Sequence, residues 1–526
     1  MTNKTLTAFL AAALSVAATS CGGSSAKRSA ATADSDSVAE AALETVVIER
    51  LPDTIYPSAE KIEFCTDIKA EGVDGRIENL TDLYADAPGA FTFRRGAFRQ
   101  ADFGGRLDSV PSSFEIDWAF ETDADNRDTG FGRWGGGSGW TGQPLYVEWP
   151  DSCLRRMSAQ FAQGFSGREV IVGSLASKVY FIDFATGKAS RRAIDVGNPI
   201  KGTVSLDPTL NGNLYVGQGV PAQRPFGHLV VDLFKGEVTQ TFPEDPSAWR
   251  HWGAFDSSPI RVGRFLFRPG ENGVVYKYMI EPGRLTLHST MRYRADYGAP
   301  GMEASMAVYA NYGFTADNGG NVLGINLDTM RPVWHYSMGD DTDCTPVVEI
   351  EDGHPYIYIG SEIDRQGTGG AALVKLDAAT GREIWRTKVN GRRFETGKKH
   401  FDGGFYASTL PGTADCADLL FANCVMNTDG QNGAFMAFDR KTGRKVYSTP
   451  LRIYAWSSPV SFTDPNGKLW VVTGDCAGNL YLIDGRTGDI KTRRNVGNNF
   501  ESSPVVVGNS LVVGSRGTTI YKISVN

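Results

Sequence analysis

The chain has 526 residues, 41% hydrophobic and 21% charged, with 61 glycines, 10 tryptophans, 19 tyrosines and 28 phenylalanines; this composition is globular and favours short strands joined by tight turns. A net charge of −7 argues against a nucleic-acid partner, because a phosphate backbone is bound by clustered Lys and Arg. Length does not count domains here, since repeat folds use this much chain in one unit.

In chain order, the first signal is Lys4 followed by an apolar run from Leu6 to Ala18, too short to span a bilayer, and then Thr19, Ser20 and Cys21. Residues 16–21, VAATSC, resemble a bacterial lipobox, so residues 1–20 are expected to be a lipoprotein signal peptide and Cys21 the lipidated first residue of the mature chain. At about 0.8 kcal/mol per buried methylene, several acyl chains hold a protein on a membrane where one does not. Gly22 stands where Gram-negative lipoproteins of the outer membrane carry a residue other than Asp, which makes the expected location the cell envelope, lipid-anchored at the outer membrane. Residues 21–40 have almost no large apolar side chain and predict a disordered tether. Residues 41–110 predict a short helix near Ala41 and an otherwise irregular N-terminal segment.

From there a repeat dominates: an apolar strand, an Asp, a turn ending in Thr-Gly, and a further strand. It stands as VYFIDFATG ending at Gly187, LVKLDAATG at Gly381, FMAFDRKTG at Gly443 and LYLIDGRTG at Gly488. Degenerate copies place Asp232, Met279, Asn326 and Ser524 at the position of the Asp. With an earlier strand pair in each unit, such as SSPVVVGN and SLVVGS near the C-terminus, each copy supplies the four strands of a propeller blade. The fold class is therefore all-β, an eight-bladed β-propeller over residues 111–526. The repeat Asp accepts backbone hydrogen bonds and the Gly takes φ > 0 at the turn, which are structural tasks. The last unit ends at Asn526 without an outer strand, and SSFEIDWAFET, residues 112–122, carries Trp118 where GREIWRT carries Trp385. This N-terminal strand is expected to close the ring and remove its open edge.

The Asp, Thr-Gly and following Trp, with Ser-Ser-Pro at 257–259, 457–459 and 502–504 and the segment FRRGAFRQADFGG from Phe93 to Gly105, resemble the pyrroloquinoline-quinone-repeat (quinoprotein dehydrogenase-like) β-propeller superfamily over roughly residues 90–526. The resemblance implies the fold and leaves activity open, because the superfamily holds both calcium-dependent quinoprotein dehydrogenases and the scaffold lipoprotein of outer-membrane barrel assembly, to which this chain is similar. No two cysteines are adjacent and there is no CxxCH haem motif, so the alcohol dehydrogenase pattern is not met. Cys416 and Cys424 could pair across a hairpin or remain free thiols. HExxH, GxSxG and Walker motifs are absent.

Inner strands line a propeller's channel, so equivalent positions at their starts form a ring around one mouth. Alignment on Ser-Ser-Pro makes that ring Thr141, Lys201, Asp256, Glu303, Asp343, Tyr406, Trp456 and Glu501, with His251 and His400 on the preceding loops. Four carboxylates converging there suit a cation such as calcium, which takes several oxygen ligands, or form a solvated funnel. Calcium and, by resemblance, pyrroloquinoline quinone are the two candidate cofactors, and no catalytic or metal residue is assigned. Between Asp377 and Asp439 the repeat lengthens to include GRRFETGKKHFDGG, residues 391–404, either a basic partner-binding insertion or simple drift in repeat length. The expected function is a non-catalytic binding or scaffolding propeller, meeting the membrane through its anchor and a protein or small polar ligand at its mouth. The alternative is a periplasmic quinoprotein-type oxidoreductase or another enzyme with its site at that mouth.

Overall fold

The computed structural model describes residues 48–526 apart from 141, 297, 299, 397 and 398. The signal peptide at 1–20, the lipidation site Cys21 and the tether at 21–40 lie outside the described residues, as do the segment around Ala41 and Thr141 of the ring. Eight antiparallel sheets succeed one another along the chain, at residues 145–195, 205–243, 260–294, 307–337, 347–392, 410–451, 460–495 and 505–525, and are numbered here as blades 1 to 8. Among the described residues the single α-helix is Asp151–Met157, and no helix is long and apolar enough to cross a membrane.

The repeat residues share one register. Asp183 pairs with Glu169, Asp377 with Tyr356 and Asp484 with Trp470, each the last residue of a third strand against the second strand of its blade. Asp439 shows the local task of the Asp: its Oδ1 accepts from the Thr442 amide at 2.8 Å and from Thr442 Oγ1 at 2.7 Å, and Gly443 follows at φ 71°. The Trp of the repeat acts across blades. Trp334 in blade 4 donates from Nε1 to Ala378 O in the turn of blade 5, and Trp385 in blade 5 to Arg440 O in the turn of blade 6, both at 3.0 Å. Gly381 and Gly443 have no side chain because the indole lies there: a Cβ at Gly381 would stand 2.5 Å from Trp334 Cδ2.

Ring closure uses the same device. Phe114–Glu121 pairs antiparallel with the strand Thr519–Val525, as the outer strand of blade 8, from Phe114 against Val525 to Glu121 against Thr519. Trp118 on that strand donates to Phe184 O in the turn of blade 1 at 3.0 Å. First and last repeats are thereby joined as any neighbouring pair is.

The Ser-Ser-Pro segments form a belt around the channel. The Ser258 amide donates to Ser305 Oγ at 2.8 Å and the Ser305 amide to Thr345 Oγ1 at 3.0 Å. Ser408 bonds Ser458 and Ser458 bonds Ser503 in the same way, at 3.1 and 2.9 Å. These hydroxyls satisfy buried amides where inner strands converge and no ladder partner is available.

The N-terminal segment is built into this ring. Glu63–Ile68 adds a fifth strand outside blade 3, with Glu63 opposite Arg294, and Gly89–Ala90 adds one inside blade 1. Residues 91–107 then occupy the channel itself. Their backbone accepts from Leu206 of blade 2, Val308 of blade 4, Val348 of blade 5 and Thr463 of blade 7, through Phe91 O, Ala97 O, Phe98 O and Gly105 O respectively. Arg99 donates to Ser258 O at 3.1 Å and Met306 O at 2.8 Å, and Arg94 to Thr409 O at 2.6 Å and Pro459 O at 3.3 Å. Blades 3 and 7 stand opposite each other in a ring of eight, so a segment bonded at the entry to both crosses and plugs the axis. Burial lowers the two guanidinium pKa values to about 9 and about 10 for Arg94 and Arg99, which leaves both charged at neutral pH.

All six cysteines among the described residues are free, Cys416 and Cys424 included.

Candidate functional site at the channel mouth

The ring positions lie immediately before the belt, on the side away from the plug, so the mouth is a blind funnel. Lys201 is the centre of its first cluster: its Nζ forms an ion pair with Asp256 and lies 3.5 Å from Glu303 Oε2. Burial works against the Lys201 charge, but Asp256, Glu303 and Glu271 outweigh it and hold its pKa well above the ordinary value. Burial, partly offset by Lys201, raises Asp256 to about 6.

A second cluster joins Asp341, Asp343 and Glu362. Burial raises all three, and repulsion from neighbouring carboxylates adds to it: Asp341 rises to about 8, and Asp343 and Glu362 lie well above the usual carboxylate range. Glu501 completes the acidic side, 3.5 Å from Arg516.

The other side of the mouth is aromatic. Tyr406 and Trp456 have ring centroids 5.3 Å apart, Trp140 lies 5.7 Å from Tyr406 and 6.1 Å from Trp456, and Tyr454 lies 5.3 Å from Trp456. Tyr406 stands next to the acidic side: burial first, and then the nearby Glu362 carboxylate, hold its phenol well above the ordinary range.

The two histidines are placed differently. His251 is exposed, next to Trp252, whose Nε1 donates to Glu271 Oε2 at 2.9 Å. His400 is exposed on the hairpin of Phe394–Thr396 and Lys399–Phe401, which belongs to the basic insertion, and its Nε2 is 3.8 Å from Asp402 Oδ2. The ring positions Lys201, Asp256, Glu303, Asp343, Tyr406, Trp456 and Glu501 thus share the mouth, while both histidines stand at its rim.

Sequence reasoning missed Glu271, Asp341, Glu362, Trp140 and Arg516. Glu271, Glu362 and Arg516 occupy one equivalent position, just beyond the second strands of blades 3, 5 and 8. Counting from the repeat Asp to its cross-strand partner and onward would have found them. Asp341 and Trp140 sit in loops with no periodic signal.

Pyrroloquinoline quinone carries carboxylates of its own, and the mouth does not suit it. Asp256, Glu271, Glu303, Asp341, Asp343, Glu362 and Glu501 are set against Lys201 and Arg516, and both of these cations are already engaged by carboxylates. Calcium fits the donor chemistry better, because the mouth is rich in carboxylate oxygen.

A closed eight-bladed propeller with a plugged channel and one acidic, aromatic-walled mouth is thus the class of protein described by the fold. A family model described as outer membrane protein assembly factor BamB matches residues 353–526. Among solved structures, the quinohemoprotein alcohol dehydrogenase ADHIIG from Pseudomonas putida HK5 is similar with a TM-score of 0.58 at 12% identity, over 84% of this chain and 81% of that one. A europium-containing methanol dehydrogenase is similar with a TM-score of 0.55 at 13% identity, over 84% of this chain and 99% of that one. BamB from Moraxella catarrhalis gives a TM-score of 0.48 at 16% identity, over 78% of this chain and 98% of that one. No curated protein matches the chain. The family match is confined to residues 353–526, and the likeness to the two dehydrogenases is one of fold.

Proposed function

We propose that this chain is a non-catalytic binding or scaffolding propeller of the cell envelope, anchored at the outer membrane through Cys21, whose acidic mouth receives a basic segment of a partner protein. The observation that carries this reading is the pairing of Lys201 with Asp256 and Glu303. The mouth already holds one ammonium group between carboxylates, and its rim presents more of them, at Glu303, Asp364 and Asp402, each about a quarter exposed at the side chain. The aromatic wall of Trp140, Tyr406, Tyr454 and Trp456 adds a surface on which an aliphatic stem or a cation packs. The BamB family match supports a scaffold, and the lipobox supports the anchor.

The oxidoreductase alternative requires the quinone to bind. Thermal unfolding of the purified protein with calcium alone, and with calcium plus pyrroloquinoline quinone, separates the two readings. A ligand at a hundredfold excess over its Kd adds about 2.7 kcal/mol of stability. The expected result is that the quinone adds nothing to the midpoint reached with calcium alone. A further upward shift with the quinone would overturn the non-catalytic reading.

A further inference from the structure

A cleft of about 800 Å³ lies at the outer strand of blade 4, Arg331–Ser337, outside the channel, and is walled also by the N-terminal segment at Ser58 and Lys61 and by the repeat turn of blade 5. Its walls set Lys61, Arg365 and Arg382 against one carboxylate, Asp296, a positive site on a chain whose net charge is −7. A local excess of one sign in a cleft concentrates ligands of the opposite sign. We infer that this cleft binds a sugar phosphate, with the phosphate held by Lys61, Arg365 and Arg382 and the sugar hydroxyls met by the polar groups of the walls.

The cations are available for this. Lys61 and Arg382, unlike Arg440 and Arg486 of the next two repeat turns, which pair with Glu349 and Asp418, join no ion pair among the described residues. Arg365 is positioned by donating to Gly319 O at 2.8 Å. The repeat threonine of blade 5 has also left its usual place. In blades 1, 6 and 7 its hydroxyl donates to a carboxylate, from Thr186 to Asp183 at 3.0 Å, Thr442 to Asp439 at 2.7 Å and Thr487 to Asp489 at 2.8 Å. In blade 5, Asp377 takes only the Ala379 and Thr380 amides on Oδ1 and pairs with His354 through Oδ2. Thr380 Oγ1 accepts the Arg382 amide at 3.3 Å and keeps its hydrogen for a ligand, as does Ser58 Oγ, which accepts the His335 amide at 3.3 Å. His335 adds an acceptor: Asn321 gives its side-chain hydrogens to Asp317, so its Oδ1 accepts from His335 Nε2 at 2.8 Å and the ring offers Nδ1. Burial and the nearby Lys61 charge hold the pKa of that ring below its ordinary value, which keeps it neutral. Size excludes a bare anion, because pockets of about 300–1,000 Å³ take small organic ligands and a lone phosphate would fill a small part of this one.

Calorimetric titration of the purified full-length protein with glucose 6-phosphate tests the site. Saturable binding is expected, with none of glucose and weaker binding of inorganic phosphate. Lys61→Ala/Arg382→Ala should weaken it by about tenfold or more, because hydrogen bonds between charged groups are the strong ones. Lys445→Ala/Arg493→Ala, which removes the same charge from the outer strands of blades 6 and 7, should leave it unchanged. A phosphorylated ring can be a free molecule or a lipid headgroup, and sedimentation with phosphatidylcholine vesicles, with and without phosphatidylinositol 4-phosphate, separates the two. Binding of soluble glucose 6-phosphate assigns a free ligand. Retention that depends on the phosphoinositide and is lost in Lys61→Ala/Arg382→Ala, without binding of the soluble sugar, assigns a headgroup. The mouth carboxylates do not line this cleft, so the function proposed above stands or falls independently. No binding of either the soluble sugar phosphate or the phosphoinositide vesicles, inorganic phosphate bound as tightly as glucose 6-phosphate, or equal weakening by the two pairs of substitutions would each overturn the site.

Discussion

Arg99→Ala is expected to destabilise the propeller by about 4 kcal/mol or more, a large share of the stability of a typical folded domain. Arg99 is fully buried, and its guanidinium donates to Met306 O at 2.8 Å, Thr92 Oγ1 at 2.8 Å, Phe93 O at 2.8 Å and Ser258 O at 3.1 Å. Truncation orphans these acceptors in a channel that gives them no substitute and leaves a cavity on the axis. Part of the loss is offset by no longer burying a charge, but the Asp82 carboxylate already favours that charge electrostatically. Arg99→Lys separates geometry from charge: one ammonium cannot reach acceptors spread around a planar fork, so most of the loss should remain. Urea unfolding of each variant measures this. A midpoint within error of the wild type for Arg99→Ala would show that the plug is not part of the cooperative structure.

Trp334→Ala is the second large effect, expected at about 3–5 kcal/mol. Its indole is fully buried, stacks on Phe314 with centroids 5.9 Å apart, bonds Ala378 O at 3.0 Å and lies against Gly381 of the next blade. The interface between blades 4 and 5 is otherwise apolar, with Val333, Ile357, Val374 and Leu376 in one cluster, so a hole there has no polar compensation. The converse substitution, Gly381→Ala, should be of similar severity, because it combines a Cβ 2.5 Å from the indole with a backbone φ of 70°. Denaturant unfolding monitored by tryptophan fluorescence checks both. If either variant kept its midpoint, the Trp would be surface decoration rather than the joint between blades.

These two residues also show what was legible in the sequence. Trp334 belongs to a unit whose hydrogen bonds close locally, strand to strand and Asp to turn, so every blade writes the same pattern into the chain and eight blades are counted from it. Its role across blades was hidden, because its carbonyl partner, Ala378, lies 44 residues away. Arg99 had no such signature. Its acceptors on the blades are main-chain carbonyls of blades 3 and 4, more than 150 residues on, and a carbonyl has no residue type. The mouth divides in the same way. Lys201, Asp256, Glu303, Asp343 and Glu501 follow from the period of the inner strands. Glu271 and Glu362 follow from a second period that Ser-Ser-Pro does not mark, and Asp341 and Trp140 from loop conformation alone.

Lys201 and Arg516 are consumed internally, so the free valence of the funnel is negative, and under the proposed function a basic segment would be favoured by electrostatic complementarity, with faster encounter at low salt. The floor built by Arg94 and Arg99 would limit such a segment to side chains entering from one side.

The most direct test of the mouth as the binding face is calorimetric titration of the purified protein with a short oligolysine peptide, repeated on Glu303→Gln/Asp402→Asn and on the control Glu237→Gln/Glu383→Gln, whose carboxylates lie on outer strands. The account predicts salt-dependent binding that the first pair weakens and the control leaves unchanged. Equal weakening by both pairs, or binding indifferent to either, would contradict it.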